Sequence, residues 1–234
     1  MRWFDPKGVY KMEMMILGLI LFLASHSLPI FAPAVRAAWT QRLGQNAYKL
    51  VITVVALVGL VLIVKGHDSA LESMTWGWSP PIFTKHIAVL LMLFACIFLA
   101  SSFVPNNHIK AKLKHPMVLS VKVWAFAHFI ANGEGANVIL FGCFLVWAVL
   151  DFRSARQRDK ANQGSTQLNT EANELTTFTL IPQLSRTLLS VLVGVVIWAA
   201  LLVYLHNLLF GVYPILIPGL VGPSSLVSTA ALPT

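Results

Sequence analysis

Long, uninterrupted apolar runs organise this chain, with little regular alternation of apolar and polar positions. The first run covers residues 14–35, the second 47–64 and the third 83–104. Each is long enough to cross a bilayer, which takes about 20 helical residues. A further run, from Met117 to Asp151, is interrupted at its centre by Asn132-Gly133-Glu134-Gly135. Glycines beside an amide and a carboxylate mark a turn at a membrane surface, so this run divides into two short spans, 117–131 and 136–150, forming a tight helical hairpin. A polar stretch, 152–186, follows and is expected to be a loop. The last span covers 187–212. Residues 1–13 are expected to be an N-terminal extension, 14–151 the main body of the bundle and 213–234 a tail. The expected fold class is all-α, a polytopic integral membrane helix bundle of about six transmembrane helices.

Composition agrees with the pattern. The chain is 57% hydrophobic and 11% charged, against about a quarter charged in soluble domains, so the lipid bilayer is its first partner. The net charge of +8 is a matter of anchoring rather than nucleic-acid binding. Arg36, Arg42 and Lys49 fall in the first loop, Lys110, Lys112 and Lys114 in the third, and Arg153, Arg156, Arg158, Lys160 and Arg186 in the fifth. The opposite side holds only Arg2, Lys7, Lys11, Lys65 and Lys85. The positive-inside rule puts the first set in the cytoplasm, against anionic headgroups, and both termini on the other side. Cys96 and Cys143 both lie in spans without paired spacing, so neither a disulfide nor a zinc site is expected.

The candidate chemistry is histidine inside hydrocarbon, where an imidazole must be hydrogen-bonded, neutralised or ligated. His26 sits mid-span between Ser25 and Ser27, with Pro29 three residues on. Small neighbours admit close approach, and the proline leaves a carbonyl without its helical donor. A structural hydrogen bond and a metal or cofactor ligand are both open for it. His128 has Trp124 and Asn132 four residues to either side, on one helical face. His115 precedes Pro116 at a helix start. Lys122, inside the span, must snorkel or meet an anion. His115 and Lys122, seven residues apart, share a face and could hold phosphate or carboxylate groups near the cytoplasmic surface. His67, His86 and His108 fall in or beside loops and are expected to be solvated or interfacial, and His206 is ambiguous. No nucleophile–base pair, glycine-rich phosphate loop or paired carboxylates are visible, which disfavours ordinary acid–base catalysis.

Four ordered segments carry a resemblance. Residues 17–28 (LGLILFLASHSL), 42–49 (RLGQNAYK), 115–133 (HPMVLSVKVWAFAHFIANG) and 205–212 (LHNLLFGV) together resemble the NnrU family of bacterial membrane proteins, over nearly the whole chain. The resemblance implies a multi-pass protein of the bacterial inner (cytoplasmic) membrane with periplasmic termini, associated with denitrification and nitric oxide metabolism. The 15-cis-zeta-carotene isomerases are similar in the same places. From them the resemblance implies haem b, with His26 and His128 as its two metal ligands, a redox partner the residues do not name, and Lys122 or His115 as cationic partners of the propionates. Trp124 would line such a cofactor site. The isomerases carry a cysteine three residues before the second ligand, where this chain has Ala125. That departure weighs against isomerase activity, and whether the protein is an enzyme stays open. Two other readings stand beside the haem protein. One is a non-enzymatic accessory or transport bundle with structural histidines. The other is a membrane methyltransferase of the isoprenylcysteine type, suggested by His115-Pro116. It is disfavoured because residues 151–158 read DFRSARQR rather than a paired-glutamate segment.

Overall fold

A computed structural model describes residues 6–74, 76–166 and 180–214. The described residues are helical throughout, apart from short connections and one isolated bridge between Gly77 and Glu134. In chain order the helices are α1 (Pro6–Phe31), α2 (Pro33–Leu43), α3 (Gln45–Ser73), α4 (Ile82–Phe103), α5 (His108–Leu113), α6 (Pro116–Ala131), α7 (Gly135–Thr166), α8 (Leu180–Ala200) and α9 (His206–Phe210), with a π-helical turn, Leu201–Leu205, between the last two. Five segments are long and apolar enough to cross a membrane: Met12–Phe31, Gln45–Ser73, Ile82–Phe103, Gly135–Asn162 and Gln183–Phe210. The sixth apolar helix, α6, has 16 residues. At 1.5 Å per residue it reaches about 24 Å, short of a hydrocarbon core of about 30 Å.

Some boundaries differ from the sequence expectation, each for a local reason. The first span stops at Phe31 rather than at residue 35. Pro33 offers no N–H to continue α1 and instead opens α2, which fills the expected first loop and buries none of its residues. Gly44, at φ +80°, then turns the chain into α3. At the same end of the bundle, where Arg158 reaches the Pro29 carbonyl, α7 continues through 152–166, where a loop was expected. Its charged residues there sit on a helix that outruns the apolar stretch.

Packing runs in a row: α3 on α1, α1 on α7, α7 on α6, α6 on α4 and α4 on α8. Small residues make the closest approaches, as close packing between helices in lipid requires. A Cβ on Gly18 would stand 2.6 Å from the Gly59 carbonyl oxygen and from the Ile63 nitrogen, and one on Gly59 would stand 2.8 Å from the Phe22 nitrogen. No larger side chain fits where α1 crosses α3. Between α6 and α4, Ser120 Oγ donates to the Ala95 carbonyl at 2.7 Å. Between α8 and α4, Gly194 lies against the backbone of Ile97, and Trp198 Nε1 donates to the Val89 carbonyl at 2.9 Å.

The core sits where α1, α3, α6 and α7 meet. It contains Leu19, Ile63, Ala125, Leu140, Phe141 and Phe144, with Phe22, Trp124 and Phe129 packed against it. At the hinge between α6 and α7, Trp78 N–H donates to the Gly133 carbonyl at 3.1 Å and Gly135 N–H to the Trp76 carbonyl at 3.0 Å. The α3–α4 connection thereby clamps the hinge.

Candidate functional site

The seam between α6 and α7 carries most of the residues singled out above. At the start of α6, His115 has φ −119° and ψ 60°, a non-helical conformation that fits the residue before a helix-opening proline. Its Nε2 lies 2.9 Å from Asp159 Oδ2 on the extended part of α7, with the two side chains 27% and 26% exposed. The Phe152 ring stands edge-on to His115 at 6.5 Å, and Lys122 Nζ lies over the same ring, 5.6 Å from its centroid. Arg156 reaches that ring at 6.0 Å. His115 and Lys122 are thus brought to one place, as their spacing suggested. The anion opposite His115 is supplied by the chain itself, through Asp159. That carboxylate could not be placed while 152–186 was read as a loop.

About two helical turns before Asp159, Asp151 is 16% exposed and 3.8 Å from Arg158. Arg158 also donates to Ser154 Oγ at 2.6 Å and to the Pro29 carbonyl at 3.4 Å, tying α7 to the end of α1.

His26 is hydrogen-bonded through one ring nitrogen. Its Nδ1 is 2.8 Å from the Phe22 carbonyl oxygen and 3.2 Å from Ser25 Oγ. The carbonyl can only accept, so Nδ1 carries the proton and Nε2 the lone pair. The ring stacks on Phe22 with centroids 4.5 Å apart and meets the edge of Trp147 at 6.0 Å. The indole Nε1 of Trp147 is buried without a hydrogen-bond partner.

His128 is held in the same manner, with Nδ1 2.9 Å from the Trp124 carbonyl oxygen. Asn132 Nδ2 donates to the carbonyl of His128 at 2.9 Å. Trp124 contacts the His128 ring at 5.3 Å, so the expected shared face exists, and Phe141 packs on that ring at 4.8 Å. The other ring beside His128 is His206, with centroids 6.4 Å apart and planes nearly parallel at 15°. The sequence left His206 unassigned. Its Nδ1 lies 2.9 Å from the Val212 carbonyl oxygen, a contact made possible by the left-handed turn at Gly211.

His26 and His128 are not brought together in this packing. His26 stands at the level of Trp147 and His128 at the level of Phe141, six residues earlier on α7, which is about 9 Å along a helix axis. Phe22, Phe144 and Trp124 link them in successive ring contacts of 5.5 and 5.4 Å. Two imidazoles on one metal, with bonds of about 2 Å, place their ring centroids roughly 6–6.5 Å apart. Each residue has the right donor chemistry for haem iron, but as a pair they do not fit one iron while the aromatic side chains fill the space. Among the described residues there is no group of three or more His, Cys, Asp or Glu that could hold a metal ion.

Sequence reasoning did not foresee the partner of His67, expected to be solvated or interfacial. It lies in α3, half-buried, and its Nε2 is 2.8 Å from Asn137 Oδ1 on α7. Asn137 Nδ2 in turn donates to Glu134 Oε2 at 3.0 Å. The apolar run ends near Val64, so only a helix continuing to Ser73 could have shown His67 to be part of the bundle. His86 is exposed, with Nδ1 3.1 Å from the Ile82 carbonyl oxygen. Cys96 and Cys143 are both free, the first buried and the second exposed.

A family model described as NnrU protein matches residues 14–214. No curated protein and no solved structure matches.

Proposed function

The chain belongs to the NnrU family, and on that premise we propose that it is a bacterial inner-membrane protein of nitric oxide and denitrification metabolism that binds haem b through His128. The observation that carries this reading is the state of the His128 ring. Its Nδ1 is committed to the Trp124 carbonyl at 2.9 Å, which leaves Nε2 with a lone pair inside an apolar helix pair. That is how metal-ligating histidines are held, with the second ring nitrogen donating to an acceptor that fixes tautomer and orientation. Trp124 and Phe141 pack the ring, and Asn132 anchors the His128 carbonyl. When bound, haem iron supplies one-electron exchange and a position for a diatomic gas. The redox partner would dock on a loop face.

The resemblance pairs His128 with His26. The aromatic residues between them speak against that pairing, and Ala125, fully buried, offers no thiol in its place. Isomerase chemistry is disfavoured accordingly.

A second reading, an accessory or transport bundle with structural histidines, draws support from His26, whose ring is stacked on Phe22 and packed against the edge of Trp147. A pyridine haemochrome assay on protein purified from haem-replete cells separates the two. The haem reading expects haem in the wild type and its loss, to below a tenth, in His128→Ala. Absence of haem from the wild type, or full retention in His128→Ala, favours the structural reading.

A further inference from the structure

We infer that His128 and His206 form a two-imidazole metal site between α6 and the end of the last span, with His206 as the second ligand. This rests on the reading that His128 is a metal ligand and names its partner.

Three observations lead there. First, the spacing is right. The ring centroids are 6.4 Å apart and the planes differ by 15°, within the roughly 6–6.5 Å expected for two imidazoles on one metal with bonds of about 2 Å. Second, the protonation pattern is matched. His128 Nδ1 faces the Trp124 carbonyl and His206 Nδ1 faces the Val212 carbonyl, each at 2.9 Å. Carbonyl oxygens only accept, so both rings carry their proton on Nδ1 and both Nε2 atoms are lone-pair donors. Two acceptors cannot hydrogen-bond each other, and a Lewis acid shared between them satisfies both.

Third, the backbone around His206 is shaped for this residue rather than for packing. The π-helical turn Leu201–Leu205 directly precedes it, and neither that turn nor α9 contains a buried residue. A π-turn inserts residues relative to an α-helix and re-aims those that follow, and such turns recur at functional sites. Among the described residues beyond Ala200, close helix packing is confined to the last span itself. The imidazole pair is therefore a principal link between α9 and α6.

The shared chemistry is bis-imidazole ligation, which haem iron and a bare divalent transition ion both accept. The test uses full-length protein in detergent, purified from haem-replete cells, with absorption and electron paramagnetic resonance spectra of the ferric form. His206→Ala should convert a six-coordinate low-spin signal to a five-coordinate high-spin one while haem remains, and added imidazole should restore low spin. His206→Met, which offers a thioether in the same place, should stay six-coordinate with a shifted spectrum. His26→Ala should leave the low-spin signal as in the wild type. An unchanged low-spin signal in His206→Ala, or its loss in His26→Ala, overturns the assignment of His206 while leaving His128 as a haem ligand. If the wild type carries no haem, the haem reading fails, and titration with Cu(II) decides the site. Binding of one ion per chain that drops at least tenfold in His206→Ala supports the pair, and wild-type binding no tighter than that of the variant overturns it.

Discussion

His115 and His128 stand at opposite ends of α6, and what separates them is the chemistry of the partner. At the Pro116 end, His115 meets the Asp159 carboxylate at 2.9 Å, with both groups part-exposed. At the hinge end, His128 meets a second imidazole, His206, at 6.4 Å between centroids. The Asp159 carboxylate accepts from His115 Nε2–H and balances the ring's charge when it is protonated, so the first pair is an ion pair within the chain. Two imidazoles whose Nδ1 atoms are already committed leave two lone pairs, so the second pair is open to a ligand. The residue type alone gave both histidines the same standing as candidates, and the difference lies wholly in what the fold brings opposite each.

The most severe way to break this comparison is to separate the helices that hold both ends in place. Gly18→Val would drive two methyls into the Gly59 carbonyl and the Ile63 backbone. It should cost about 3 kcal/mol, at the upper end for overpacking, seen as a large fall in thermal midpoint with both histidine sites lost together. A selective change comes next. Asp159→Asn removes the charge opposite His115 and should cost about 1 kcal/mol, given the exposure of the pair. It should lower the midpoint slightly in thermal unfolding and leave any haem spectrum untouched, since His128 lies at the other end of α6. The mildest is Trp198→Phe, which deletes the hydrogen bond to the Val89 carbonyl between α8 and α4. Interhelical hydrogen bonds in membranes average about 0.6 kcal/mol. This change should barely move stability but should broaden the spectrum of the hinge-end site, because α8 leads through the π-helical turn into α9, which carries His206.

Much of the fold was legible in the sequence because membrane helices announce themselves by length and apolarity. Five span-length helices and a shorter one stand where apolar runs were read, and Asn132-Gly133-Glu134 separates α6 from α7. What was not legible lay in polar helix. The charged part of α7 and all of α2 look like loop by composition, and only tertiary contacts, such as Arg158 on the Pro29 carbonyl, keep them ordered against the bundle. The site followed the same division. Trp124 beside His128, and Lys122 near His115, follow from helical spacing. Asp159 opposite His115 and His206 opposite His128 depend on how distant helices meet, and no spacing within one segment encodes that. The His26–His128 pairing came from resemblance alone. Spacing along the spans says nothing of the aromatic rings that fill the space between them.

The most direct measurement is haem bound per polypeptide in His115→Ala and His128→Ala, purified side by side from haem-replete cells. The assignment of one end as structural and the other as a ligand site expects wild-type haem in His115→Ala and less than a tenth of it in His128→Ala. Equal retention in the two variants, or loss confined to His115→Ala, would refute it.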